Sequence, residues 1–264
     1  SGEGKHALRS LTLLAVLPSF LLASCAWETG SMSKETQMNS LTAREKAEGW
    51  RLLFDGKTFA GWRGLGWDRV PEGHWEIEDG AIKKIASGDV PLMPDGQPAR
   101  GGDLMTVGTF QDFELAFEWK ISFAGNSGVK YNVSEEFSLA NAPNHAALGF
   151  EYQVLDDEHF PDPNLRDNQK AAGLYDLIAP VGADVRPAGE FNQAKIIFRG
   201  NHGEHWLNGV KVLEYDLGTP VMEARLAASK FRALEGFADR RRGHIIIQDH
   251  TDAAWFRNIK IREF

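Results

Sequence analysis

The stretch "DFELAFEWKIS", residues 112–122, alternates without a break: Phe113, Leu115, Phe117, Trp119 and Ile121 fall on one parity, and Glu114, Ala116, Glu118 and Lys120 on the other. A helix, with its period of 3.6, cannot gather that pattern onto one side, whereas a strand with one face in a core and one in water does so directly. The same alternation, or a short apolar run, recurs to the end of the chain. Examples are "WRLLF" (50–54), "HWEIED" (74–79), "AIKKI" (81–85), "GVKYNV" (128–133), "GFEYQVLD" (149–156) and "GLYDLI" (173–178). Further on come "QAKIIFR" (193–199), "EHWLN" (204–208), "KVLEYDL" (211–217), "HIIIQD" (244–249) and "AWFRNIKI" (254–261). Gly, Asp and Asn divide these runs, and "EDG" (78–80) and "LNGV" (207–210) are hairpin signals because they tolerate positive φ. One segment departs from the pattern: "PVMEARLAASKFRALEG" reads as a helix, with Pro220 near its start and Gly236 at its stop. The pattern predicts an all-β, two-sheet antiparallel sandwich or jelly roll with one short inserted helix.

The chain of 264 residues, 42% apolar and 25% charged, is large enough for a core that needs no disulfide or metal staple. Its net charge of −8, with "DRRRG" (239–243) as the one basic run, excludes nucleic acid as the expected partner. The N-terminus reads as a targeting segment: Lys5 and Arg9 precede the apolar run "LTLLAVLPSFLLAS", which is broken by Pro18. Leu22-Ala23-Ser24-Cys25 resembles a bacterial lipobox, so residues 1–24 are expected to be a lipoprotein signal peptide. Lipidated Cys25 would then anchor the chain to a membrane as a cell-envelope lipoprotein, in the periplasm or at the cell surface. Residues 25–46 read as the lipidated cysteine and a polar tether, and residues 47–264 as one domain. Cys25 is the only cysteine, so no intrachain disulfide is available.

Strand parity also sorts the polar residues. In "GFEYQVLD", Glu151 and Gln153 share a face opposite Tyr152 and Val154. In "HIIIQDH", Ile246, Gln248 and His250 share a face opposite Ile245, Ile247 and Asp249, and in "GNSGVKYNV" Asn126, Lys130 and Asn132 fall together. If Tyr152 and Val154 are core, Glu151 and Gln153 point to the open side of a sheet. A buried run ending in an amide, a carboxylate and an imidazole needs water, substrate or neighbours to satisfy it. Gln248 and His250 are therefore expected at one end of the groove that holds Glu151 and Gln153, with Asp249 and the Thr251-Asp252 turn closing the hairpin.

"LFDGKTFAGW", "WEIEDGAI", "GGDLMT", "FELAFEWKISFAGNSGVKY", "GFEYQVLDD", "GLYDLI", "GEHWLNGVKVLEYD" and "HIIIQDHTDAAWFRNIKIREF" occur in this order. Together, over residues 50–264, they resemble the 3-keto-disaccharide hydrolase family. That resemblance implies a concanavalin A-like jelly roll and cleavage of glycosides whose C3 hydroxyl has been oxidised to a ketone. The chemistry implied is removal of the C2 proton, departure of the C1 oxygen by elimination, and re-addition of water. Such a reaction needs a base, an acid and a stabiliser for the enolate. His250 and Glu151 are the expected acid/base residues, since imidazole and carboxylate exchange protons near neutral pH. Lys130 is the expected enolate-stabilising cation, and Gln153, Gln248 and Asn126 the sugar-binding amides. Trp62, Trp67, Trp75, Trp206 and Trp255 are candidate sugar platforms, with Trp206 carried forward as substrate-binding. A divalent metal, if one binds, is expected in "LDDEHFPDP" through Asp156 and His159. Two other readings stay open on the residues alone. Glu151, Gln153 and Asp156 fall at the bulged spacing of a sandwich β-glucanase, and a lectin-like binding module would use the same fold with amides and aromatics but no acid/base cluster.

Overall fold

The computed structural model describes residues 37–86, 101–142 and 146–264; the predicted signal peptide, the Cys25 anchor and most of the tether lie outside them. The described chain forms strands β1 (Arg51–Leu52), β2 (Trp62–Gly64), β3 (Trp75–Glu78), β4 (Ala81–Lys84), β5 (Leu104–Thr106), β6 (Phe113–Ile121) and β7 (Asn126–Val133). They continue with β8 (Phe150–Leu155), β9 (Asn192–Arg199), β10 (His202–Leu207), β11 (Val210–Asp216), β12 (His244–Ile247) and β13 (Ala254–Glu263). An eight-stranded back sheet runs β11-β10-β9-β6-β13-β4-β3, with β1 paired to β13, and a five-stranded front sheet runs β2-β5-β12-β7-β8. All pairings within both sheets are antiparallel. This is the predicted two-sheet antiparallel sandwich.

The alternation of β6 does what the pattern requires. Phe113, Leu115, Phe117, Trp119 and Ile121 are buried against Tyr131, Phe150, Tyr152 and Val154 of the front sheet. Each large side chain buried in this way contributes about 1.5–3 kcal/mol relative to exposure. The outward residues of β6 pair across strands, Glu118 with Arg257 and Glu114 with Arg262. The two hairpins close where Asp79-Gly80 and Asn208-Gly209 all take positive φ.

Several local expectations are corrected. "GLYDLI" forms a loop instead of a strand: Leu174 bridges Tyr152 and then Ile178, folding the segment back on itself beside β8. The inserted helix is α3 (Pro220–Ala228), capped by Thr219 and followed by a 3-10 turn, Lys230–Ala233. Helices α1 (Ala43–Ala47) and α2 (Glu135–Asn141) were not anticipated; Thr42 and Ser134 cap them through their side-chain oxygens. The end of the predicted tether, residues 37–46, is not loose. Asn39 and Asn258 exchange backbone-to-side-chain hydrogen bonds at 2.6 and 2.9 Å, and Glu45 pairs with Lys260.

Candidate active site

Three strands of the front sheet set the site in register. Lys130 lies opposite Glu151 on β8 and Ile246 on β12, while Gly128 lies opposite Gln153 on β8. On the other side of Gly128, the Gln248 N–H donates to the Gly128 carbonyl at 2.9 Å. On the outward face, therefore, Gln153 and Gln248 flank a position that has no side chain. Adjacent strands are about 4.8 Å apart, so the two amides face each other across a gap of about two strand spacings. Glu151 leans into that gap. A Cβ on Gly128 would stand 2.3 Å from Glu151 Oε1, so the glycine is the space that the carboxylate occupies.

Ile246 shows why this face is half covered. Ile245 and Ile247 join the main core, whereas Ile246 packs on the other face with Leu65, Met105, Val133 and Ala147 in a small second cluster. One residue further along β12 that cover ends and the face becomes polar. A groove of about 280 Å³ opens there, lined by Asn126, Glu151, Gln153, Tyr175, Lys230, Gln248 and His250. The structure thus places Glu151, Gln153, Gln248, His250 and Asn126 around one cavity, as parity predicts.

The floor of the groove is short of partners. Asn126 Oδ1, Gln153 Oε1 and Gln248 Oε1 are buried and make no hydrogen bond among the described residues. Gln153 Nε2 donates to the Gln169 carbonyl at 3.1 Å, which fixes its amide with the oxygen unpaired. The imidazole of His250, half-buried, has no hydrogen bond among the described residues, and neither does the Glu151 carboxylate, although Glu151 is only 6% exposed. Buried polar atoms are usually satisfied, so a cluster of bare ones marks a place where a ligand completes the bonding.

Beneath the groove is a braced layer of buried charges. Asp103 accepts from the Asp249 N–H through Oδ1 and from the Ala147 N–H through Oδ2, both at 2.8 Å. Burial pushes its carboxyl up to about 6, against the pull of Lys130 and of these two N–H groups. Asp249 takes His74 Nδ1 at 2.7 Å, Lys84 Nζ at 3.2 Å and the Thr251 N–H at 3.0 Å. Burial works to raise Asp249, but the hydrogen bond from His74 and the charge of Lys84 overcome it and hold the group below the ordinary range. Asp249 therefore closes the hairpin as predicted. Gly102 is the residue that lets it, since a Cβ there would meet Asp249 Oδ2 at 2.0 Å. Asp252 Oδ2 accepts the Asn126 N–H at 2.9 Å and fixes the other rim.

Three sequence-based placements do not hold. Lys130 is 5% exposed; its ammonium donates to the Ala147 carbonyl at 2.9 Å, stands 3.8 Å from Glu151 and does not line the groove. Trp206 sits on the outer face of the back sheet, with its indole N–H on Glu204 and the Lys195 ammonium 4.3 Å above its ring. Asp156 and His159 bond each other at 3.0 Å, and Asp156 also takes the Ala124 N–H at 2.8 Å, so the pair shapes a turn away from the groove. The other tryptophans are no better placed. Trp62 and Trp75 are core, the Trp255 indole N–H is bound to Glu78, and Trp67 lies under Arg69. β8 also pairs with β7 in continuous register without a bulge. Asp156 therefore does not join Glu151, and the two-carboxylate glucanase arrangement is absent.

Two lining residues escaped the sequence reading, Tyr175 and Lys230. The Lys230 ammonium stands 4.7 Å from the Tyr175 ring centroid. Tyr175 reaches the rim from the loop beside β8, where its N–H donates to the Glu151 carbonyl at 3.0 Å, and Lys230 from the 3-10 turn after α3. The signal for Tyr175 was its place in "GLYDLI"; nothing in the local pattern singles out Lys230.

A larger groove of about 1210 Å³ lies on the outer face of the back sheet, lined in part by Glu45, Glu118, Lys195, Trp206 and Lys260. Its charged groups are already matched: Glu45 with Lys260, Glu118 with Arg257, and Lys195 with Glu114. The bare oxygens face the smaller groove, which is therefore the candidate site.

Residues 49–262 match the model of the 3-keto-alpha-glucoside-1,2-lyase-like domain. The chain belongs to that family. It is 41% identical over 246 residues to a 3-keto-disaccharide hydrolase of Bacteroides thetaiotaomicron, covering 87% of this chain and 83% of the relative. A crystal structure from Parabacteroides distasonis, assigned as a glycosyl hydrolase, superposes with a TM-score of 0.75 at 31% identity, covering 86% of this chain and 100% of that one. A second such structure from the same organism gives 0.61 at 25% identity over 81% of this chain and 99% of the other. With the family shown, the chain is an enzyme of 3-keto-sugar chemistry, and the lectin-like reading falls away.

Proposed function

We propose that the groove over Gly128 cleaves the glycosidic bond of 3-keto-glycosides, 3-keto-disaccharides among them, by elimination and hydration. The observation that carries this reading is the convergence on one cavity of an imidazole with no hydrogen bond among the described residues, a carboxylate and three bare amide oxygens, in a chain of this family.

His250 is assigned the proton transfer. It takes the C2 proton of the ring; the electron pair moves into an enolate on the C3 oxygen and then forms the C1–C2 double bond as the C1–O bond breaks. The leaving oxygen receives a proton. Water then adds its hydroxyl to C1 and its hydrogen to C2, so the net change is hydrolysis. Glu151 and the amides of Gln153, Gln248 and Asn126 hold the ring's oxygens, while Tyr175 and Lys230 close the rim. Lys130, turned toward Ala147, holds the floor and does not touch the sugar.

The test pairs two substrates and one variant. The purified protein should release the aglycone from a 3-keto-glucoside much faster than from the parent glucoside. His250→Ala should lower turnover by about 10²–10⁴-fold while melting close to the wild type. Equal rates on both glycosides would refute the ketone requirement. Full activity in a variant that melts early would make His250 a hairpin residue only.

A further inference from the structure

Enolate formation puts a negative charge on the C3 oxygen of the sugar. Apart from Lys230, the groove meets that charge with the His250 imidazole, the Glu151 carboxylate, a tyrosine and neutral amides. Lys130 answers the charge of Glu151 from 3.8 Å and is turned to the Ala147 carbonyl, on the covered half of the face. Neutralising that carboxylate therefore does not account for the second lysine, Lys230, at the groove.

Lys230 is held there by more than its own side chain. It opens the 3-10 turn Lys230–Ala233, which Ser229 caps and which Phe231 anchors by stacking on Phe237 at 4.1 Å. Its backbone N–H donates to Asp176 Oδ2 at 2.8 Å. Asp176 is buried, takes a positive φ of 63°, and accepts from Arg166 and Gln169 Nε2 through its other oxygen. The Gln169 carbonyl in turn accepts from Gln153 Nε2 at 3.1 Å. One hydrogen-bonded chain thus runs from the Lys230 backbone to an amide on the groove floor. Tyr175, next to Asp176, is fixed by its N–H on the Glu151 carbonyl at 3.0 Å, and its ring centroid lies 4.7 Å from the Lys230 ammonium. A ring face attracts an ammonium ion and not a neutral amine. The turn, the buried carboxylate and the ring together hold a cation at the wall of the groove.

We propose that Lys230 is a catalytic residue whose ammonium donates a hydrogen bond to the C3 oxygen of the bound 3-keto sugar and stabilises the enolate formed there. This rests on the hydrolase reading above and deepens it, filling the role that Lys130 is too far back to take. His250 receives the C2 proton, the electron pair moves onto the C3 oxygen, and Lys230 keeps its protons throughout. The ketone is neutral and the enolate is charged, so the interaction strengthens as the reaction proceeds, which raises kcat more than it lowers KM. Lys230 is exposed. A sugar lying over it takes the ammonium out of water, where a charge-assisted hydrogen bond is stronger.

The test separates enolate formation from bond cleavage. A 3-keto analogue of glucose with hydrogen in place of the C1 oxygen substituent has the acidic C2 hydrogen but no leaving group. In heavy water the wild-type protein should exchange that hydrogen, as read by proton NMR, without cleaving the analogue. Lys230→Met should slow both this exchange and aglycone release from a 3-keto-glucoside by about 10²-fold, with most of the loss in kcat. Lys230→Arg should restore part of both rates, and both variants should melt close to the wild type, as expected of an exposed side chain. Exchange and release at wild-type rates in Lys230→Met would overturn the proposal and leave the hydrolase reading intact. Release slowed with exchange unchanged would overturn it as well, placing the lysine on the leaving group. So would borohydride trapping of the sugar on Lys230 together with an inactive Lys230→Arg, since the neutral amine would then have added to C3 with loss of water to give an iminium. A wild-type protein that neither exchanges the analogue nor cleaves the 3-keto-glucoside would remove the hydrolase reading, and this proposal with it.

Discussion

His205 ties the back sheet to the loop that carries Tyr175, and its protonation should weaken the fold along that line. The ring is fully buried. Its Nδ1 is 3.0 Å from the Ala172 carbonyl, which can only accept, so Nδ1 carries the proton. Nε2 must then accept from the Tyr131 hydroxyl at 2.9 Å, and Tyr131 in turn accepts from Tyr215 at 2.7 Å. Charging the ring would put a cation in the core and force Tyr131 to surrender its bond. Burial accordingly holds the His205 imidazole down at about 4, against an ordinary value of 6.5. In the unfolded chain the ring charges as pH falls through 6.5, but in the folded protein it stays neutral until about 4. Over that window the unfolded state binds the extra proton, so the His205 contribution, present above 6.5, is lost as pH falls. At about 1.4 kcal/mol per unit it amounts to about 3 kcal/mol. Asp103 works against it. Its folded value of about 6 lies above its ordinary 3.8, so its contribution is present below 3.8 and is lost as pH rises to about 6. The two slopes overlap between about 4 and 6 and largely cancel. His205→Gln keeps an acceptor for Tyr131 and cannot titrate. Urea unfolding of this variant and of the wild type at a series of pH values from 7 to 4 separates the terms. The variant should be less stable at pH 7, and the gap should close by about 3 kcal/mol by pH 4. Parallel curves across that range would refute the assignment of a neutral, buried His205.

Gly128→Ala should lower turnover by about 10²-fold with little change in melting temperature, because the added Cβ displaces only the flexible end of Glu151, and misplacement of that order is costly to catalysis. Turnover equal to wild type would show that the position of the carboxylate does not matter. Trp206→Ala should leave kcat/KM on a 3-keto-glucoside within about twofold, as expected of a substitution on the far face of the sandwich. A large loss in kcat/KM would bring the back-sheet groove into the reaction.

The sandwich was legible because β6, β8, β9 and β12 alternate or run apolar with their own period, and because Asp79-Gly80 and Asn208-Gly209 announce their turns. "GLYDLI" was misread for a physical reason: a short apolar run does not reveal whether its backbone partners lie across a sheet or within the segment. Here Leu174 finds one of each, in Tyr152 and Ile178. The short strands β2 and β5 and helices α1 and α2 hold too few residues to show a period; the helices had only their caps, Thr42 and Ser134, to give them away.

Parity gave the faces of the site but not its neighbours, and this separates the placements that held from those that did not. Glu151, Gln153, Gln248 and His250 were grouped correctly because each lies on a strand, or just past one, whose apolar residues fix the other face. Lys130 was also assigned the correct face, yet it faces the covered half. Ile246 opposite it is roofed by Leu65, Met105 and Ala147, and the lysine is turned to the Ala147 carbonyl. Trp206 was chosen for its chemistry alone. Alternation places it outward on β10, but no local pattern says that β10 belongs to the back sheet. Gly128 is the opposite case, a residue with no functional group that nevertheless defines the site. It opens the gap between Gln153 and Gln248 into which Glu151 leans, and a sequence shows only a glycine in a strand. Such a glycine signals a bulge or a close approach, and β7 shows which of the two it is: the ladder runs straight through Gly128. The space is therefore reserved for a side chain from the next strand, and for whatever that carboxylate binds.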